Sequence, residues 1–218
     1  MFVLVYGRDS VRTLAHVPRG VPFGDMFGAG NLPFGLFHTL SRAMPGVGAA
    51  RATALAMLVL VVSLLAAAIG LWRRAGLAPA VARLDPERQT VLMTGALVMI
   101  GCFFSAQNIG YRGVYFLLVL PGLAALGRDQ GCPAGPLMRA AAWLAVALMW
   151  EQALRRGLAA GMAALGVPNS VFAGLQFDAW VAKELGYWGL VLLFGVLVLA
   201  WLARAPLRAA WQRRHATA

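Results

Sequence analysis

Charge is scarce in this chain. Aspartate and glutamate together number eight of 218 residues, lysine occurs once, at position 183, and charged residues of all kinds make up 12%. Soluble domains average about 25% charged residues. So thin a supply excludes an ordinary water-facing globular surface. Cysteine is nearly absent too: Cys102 lies inside an apolar run and Cys132 in a Gly/Pro loop, a pattern that gives no disulfide framework. The three histidines, His16, His38 and His215, are scattered. With no Cys/His spacing for a ligand set, neither a metal nor a cofactor is expected. Gly28-Ala29-Gly30 lacks the preceding strand and following Lys-Ser/Thr of a phosphate loop and reads as a turn.

What is abundant is apolar sequence: 61% of residues are hydrophobic and the mean hydropathy is +0.73. The net charge of +11 comes almost wholly from arginine. Arg73, Arg74, Arg128, Arg139, Arg204 and Arg208 stand at the ends of apolar runs, not in one aromatic-studded basic block. They read as topology determinants and anchors for membrane lipid, and no nucleic-acid partner is expected.

These features predict an all-α, polytopic transmembrane helical bundle. Residues 1–52 form a Gly/Pro-rich outer-face loop region, too punctuated for a long helix, with a short helix over 36–44. Residues 53–218 form the transmembrane helical domain, with five membrane spans at 53–72, 87–107, 113–127, 137–158 and 185–203. Asp85, Pro86 and Glu87 supply a cap, a first-turn proline and a dipole-matched acid for the second span. Residues 167–183 predict a separate amphipathic helix in the interface plane. Gly157 and Gly161 match the small-xxx-small pattern of helix contact. Arginine bias puts Arg73, Arg74, Arg83, Arg88, Arg128, Arg139 and the C-terminal tail on the cytoplasmic side. The 107–112 turn, the N-terminal loop and Lys183 then share the outer face of a bacterial inner membrane.

The predicted substrate-binding site is that turn. Gln107, Asn108, Tyr111 and Arg112 bring two amides, a phenol and a guanidinium to the shared end of two spans. A plain connector needs fewer donors and acceptors. A guanidinium matches phosphate oxygens bidentately, whereas the ordinary role of such an arginine is to snorkel to lipid phosphate. Glu151 and Arg155, spaced i,i+4 with the acid first, predict a pair on one helix face. A helix over 137–158 would carry Glu151 into or near hydrocarbon, so it should face the bundle interior or an aqueous cleft. Asp9, Asp25 and Asp178 read as turn, cap or solvated residues, and no catalytic residue is identifiable.

The stretch Asn108-Ile-Gly-Tyr-Arg-Gly-Val-Tyr-Phe-Leu-Leu-Val-Leu-Pro-Gly-Leu, with Phe27-Gly-Ala-Gly-Asn-Leu-Pro-Phe-Gly-Leu upstream, resembles GT-C type polytopic membrane glycosyltransferases of the family 87-like group. The resemblance implies transfer of a sugar from a polyprenyl-phosphate donor on the outer face. Only Asn108, Tyr111 and Arg112 match its Asn-x-x-Tyr-Arg turn, and Arg112 would hold the donor phosphate. The family's catalytic acid lies in a first outer loop after an N-terminal helix, which has no counterpart here. The resemblance therefore implies the C-terminal portion of such an enzyme, with the N-terminal portion or a partner subunit elsewhere. The opening Met-Phe-Val-Leu-Val-Tyr-Gly-Arg, which reads as the last turn of a helix begun earlier, agrees with that. A transporter or flippase subunit and a non-catalytic membrane scaffold are the rival expectations.

Overall fold

The computed structural model describes residues 26–44, 46–74, 76–105 and 108–215. They form eight α-helices: α1 (Asn31–Ala43), α2 (Val47–Arg74), α3 (Leu77–Arg83), α4 (Pro86–Ser105), α5 (Phe116–Arg128), α6 (Gly135–Met149), α7 (Glu151–Ala164) and α8 (Asn169–His215). Two short strands, β1 (Met26–Phe27) and β2 (Asn108–Ile109), and a 3-10 turn over Gly110–Tyr115 complete the described residues. Of the predicted outer-face loop, residues 1–25 lie outside the described residues.

Helix α4 begins as its sequence predicts. The Asp85 Oδ1 accepts the Arg88 backbone N–H at 2.9 Å, Pro86 opens the helix and Glu87 stands in its first turn. It runs antiparallel to α5 at unusually close range. A Cβ added to Gly95 would sit 2.7 Å from Leu118 Cβ, and one added to Gly122 would sit 2.7 Å from Leu92 Cβ. These two glycines let α4 and α5 approach, a role the predicted pair does not play. Gly157 and Gly161 face open space. Helices α6 and α8 close the bundle around a core that includes Leu92, Met99, Phe116, Leu123, Met138 and Phe194, all fully buried.

Among the described residues three helices are long and apolar enough to cross a bilayer: Val47–Arg73, Pro86–Ser105 and Ala173–Ala203. Gly113–Arg128 and Gly135–Met149 are apolar but shorter. Helix α2 buries none of its most apolar stretch against the rest of the protein, and Leu55, Leu58, Val62, Leu65 and Ile69 stand exposed along it. So long an unpartnered hydrocarbon face has its natural solvent in lipid. The fold is all-α and built for a membrane.

Two stretches depart from expectation. The run predicted as one helix over 137–158 is two, with α6 ending at Met149 and α7 starting at Glu151. A continuous helix would have carried Glu151, Gln152, Arg155 and Arg156 along the bundle axis. The break instead puts Glu151 in a first turn, where the helix dipole favours an acid. Conversely, the predicted interfacial helix over 167–183 is not separate. It is the first part of α8, which continues without interruption from Asn169 to His215. Lys183 and Glu184 lie within that helix, and the structure accommodates them there by pairing them.

Candidate functional site

The chain from Phe27 to Asn31 crosses the end of the bundle at which α4 finishes. Phe27 pairs with Asn108 and Met26 with Ile109 in an antiparallel ladder, and the Ala29 N–H donates to the Phe103 carbonyl at 2.8 Å. The Phe27 ring is fully buried, edge-on to Phe103 (centroids 5.4 Å apart) and to Tyr187 (4.9 Å). Tyr187 in turn stacks on Phe116 at 6.1 Å. One phenylalanine thus ties the N-terminal segment to α4, α8 and the start of α5. The backbone then turns at Gly28, whose φ of +149° is one that side-chain-bearing residues rarely adopt.

That turn delivers Asn31 to the first position of α1, pointing inward. Its Nδ2 donates to Glu184 Oε1 at 2.6 Å, across a sequence separation of 153 residues. Lys183 Nζ lies 3.4 Å from the same oxygen, and the two charged side chains are 2% and 0% exposed. Among the described residues neither the Lys183 ammonium nor Glu184 Oε2 has a hydrogen-bond partner. A charge taken out of water costs several kcal/mol unless it is paired, so this constellation holds together as a unit. Helix α1 is seated on α8 one turn earlier by a second device. Gly35 lies so close to the Trp180 ring that a Cβ there would come within 2.3 Å of Cη2.

Glu151, at the head of α7, is near enough to Glu184 for their charges to interact, and it pairs with Arg155 at 3.8 Å, as their spacing predicts. The Glu151–Arg155 pair therefore lies at the same end of the bundle as the clasp. The Gly110–Tyr115 turn is at that end as well, since a Cβ on Gly113 would reach within 4.0 Å of Met149 Cα at the α6–α7 break. Of the predicted site, Gln107 lies outside the described residues. Asn108 is placed by its backbone in β2, and Tyr111 and Arg112 in the 3-10 turn, while their side chains lie outside the described residues.

Sequence reasoning missed Asn31 and Glu184. The available signal was an acid next to the chain's single lysine at the edge of its last long apolar run. Lys183 was expected as a flanking charge of that run, and the structure buries it. Nothing in the Gly/Pro-rich stretch around Asn31 marks that amide as an interior residue.

The opposite end, where α4 starts and α5 finishes, is held by a different ion pair. Arg83 donates to Asp129 Oδ2 from Nη2 at 2.6 Å and from Nε at 3.1 Å, and Asp129 Oδ1 accepts the Gly131 N–H at 2.9 Å. The hydrogen bonds from Arg83 and then from Gly131 hold the Asp129 carboxyl below the usual carboxylate range. Among the described residues no group of three or more His, Cys, Asp and Glu is arranged to hold a metal ion.

Fold and site together define a helical membrane protein with a buried polar clasp beside the Gly110–Tyr115 turn. No protein-family model matches the chain, and neither a curated protein nor a solved structure does.

Proposed function

We propose that this chain is the C-terminal part of a membrane glycosyltransferase-like protein that uses a polyprenyl-phosphate sugar, with the Asn108–Arg112 turn as its phosphate site. The observation that carries the reading is how that turn is fixed. Strand pairing with Phe27 holds it on one side, and the Asn31–Glu184–Lys183 clasp anchors the same N-terminal segment to α8. A plain connector has no use for a buried ion pair. A phosphate site needs donors held in place before the ligand arrives.

In this reading Asn108, Tyr111 and Arg112 hold the donor phosphate. The acceptor oxygen bonds to the anomeric carbon, the carbon–oxygen bond to phosphate breaks, and its electron pair leaves on the phosphate that Arg112 neutralises. The acceptor's proton goes to a carboxylate base in the N-terminal portion. A cleft of about 780 Å³ between α2, α6 and α8 suits the hydrocarbon part of the donor, being walled by Leu64, Leu71, Leu144, Leu190 and Leu193 with no charged residue. The shorter apolar helices α5 and α6 complete five spans of a bacterial inner membrane, which thins locally to match them.

The test is sugar transfer from a synthetic polyprenyl-phosphate sugar, measured in membranes that contain the whole protein. Arg112→Ala should lower turnover by more than about 100-fold, the size of effect seen on removing one such donor, while the protein still accumulates. Undiminished transfer by Arg112→Ala sinks the proposal. The buried Lys183–Glu184 pair within α8 favours one rival, a proton-coupled transporter or flippase subunit. There Glu151→Gln would uncouple flux and Arg112→Ala would matter less.

A further inference from the structure

At the arginine-rich end of the bundle, α5 and α6 enclose a hollow of about 290 Å³. Arg128 and Arg139 flank it, and Leu120, Ala142, Trp143 and Val146 provide its apolar lining. The charges there are not interchangeable. Arg83 is spent on Asp129 and Arg88 on Asp85. Among the described residues Arg128 and Arg139 pair with no carboxylate, and both flank the same hollow.

The backbone is shaped to put them there. Gly127 lets the Arg139 stem lie directly over α5, because a Cβ at 127 would meet Arg139 Cγ at 2.6 Å. Any other residue would push that stem away from Arg128. Next along the hollow Trp143 is 74% exposed, an amphipathic ring of the kind that sits at the headgroup level of a bilayer.

We propose that this hollow binds one molecule of an anionic phospholipid. Arg128 and Arg139 clamp its phosphate, and one acyl chain lies along Leu120, Trp143 and Val146. The assignment rests on charge complementarity joined to an apolar trough, and it is independent of the reading given to the opposite end. A solvated arginine pair would need no apolar wall, and a groove for a neutral partner would not hold two unpaired cations.

The experiment reconstitutes the purified full-length chain in phosphatidylcholine vesicles doped with phosphatidylglycerol. Either lipid carries dibrominated acyl chains, which quench tryptophan on contact. The Trp143 contribution is the difference between the protein and Trp143→Phe. Brominated phosphatidylglycerol should quench Trp143 at a lower mole fraction than brominated phosphatidylcholine. A basic residue near the surface is worth about 1 kcal/mol toward anionic lipid, or roughly five-fold. Two should therefore give a preference of roughly twenty- to thirty-fold. Arg128→Gln with Arg139→Gln should abolish that preference without loss of fold, since both positions are exposed. Arg51→Gln with Arg73→Gln, which removes equal charge from exposed sites on α2, should leave it intact. Equal quenching by both lipids, a preference that survives the Arg128/Arg139 pair, or an equal loss in the α2 control each overturns the proposal.

Discussion

Replacing Lys183 by Met, Glu184 by Leu, and then both, tests whether the buried clasp is one coupled unit. Two unit charges 3.4 Å apart attract by about 5 kcal/mol at an effective dielectric near 20. Desolvation of both groups offsets most of that gain, so the pair adds little net stability over two apolar residues of similar size. Losing one member is another matter, because the other stays buried and unpaired at a cost of about 3–5 kcal/mol. Lys183→Met and Glu184→Leu should each destabilise by that amount. The double variant should lose only about 1–3 kcal/mol, the cost of leaving the buried Asn31 amide without its Glu184 acceptor. The measurement is equilibrium unfolding in micelles, followed by tryptophan fluorescence, and the quantity of interest is the coupling in the double-mutant cycle. A coupling of about 3 kcal/mol or more supports the clasp. If the double variant loses the sum of the two singles, the charges are not meeting each other and the geometry of the site is wrong.

The close approach of α4 and α5 makes Gly122 intolerant of a side chain. Gly122→Val should cost about 1–3 kcal/mol through displacement of Leu92, whereas the same change at Gly157, which faces open space, should pass unnoticed in the same unfolding assay. At the other end of the bundle, Asp129 titrates below an unfolded-state aspartate because Arg83 donates to it. Its contribution is therefore complete above the usual aspartate pKa and is lost as pH falls through the lowered one. Native protein and Asp129→Asn should differ in stability at pH 7 and converge in strong acid. A difference that grew on acidification would have the wrong sign.

Much of this architecture was open to reading from sequence alone. Apolar run length and arginine placement mark the membrane helices, and the Asp85-Pro86-Glu87 start is local chemistry that needs no tertiary context. The Glu151–Arg155 pair is also local, since i,i+4 neighbours meet on any helix. The α6–α7 break is harder to foresee, because nothing between Met149 and Glu151 resembles proline or a left-handed glycine. It follows from where the charges of α7 have to go. Least accessible was the contact between Asn31 and Glu184, which depends on the chain folding back across most of its length. A buried amide in a Gly/Pro-rich segment looks no different in sequence from an exposed one. The continuity of α8 through Lys183 and Glu184 was hidden for the same reason, since an interior partner makes those charges tolerable only once α1 is in place.

The single lysine has a practical consequence. Besides the α-amino group, Lys183 carries the only primary amine in the chain, and α1 and α8 shut it away from solvent. Acylating reagents and amine cross-linkers therefore have one side-chain target, and it is out of reach while the clasp is closed. Reaction at Lys183 would register each separation of α1 from α8 without any engineered label. This protein carries its own chemical clock for the opening of that end.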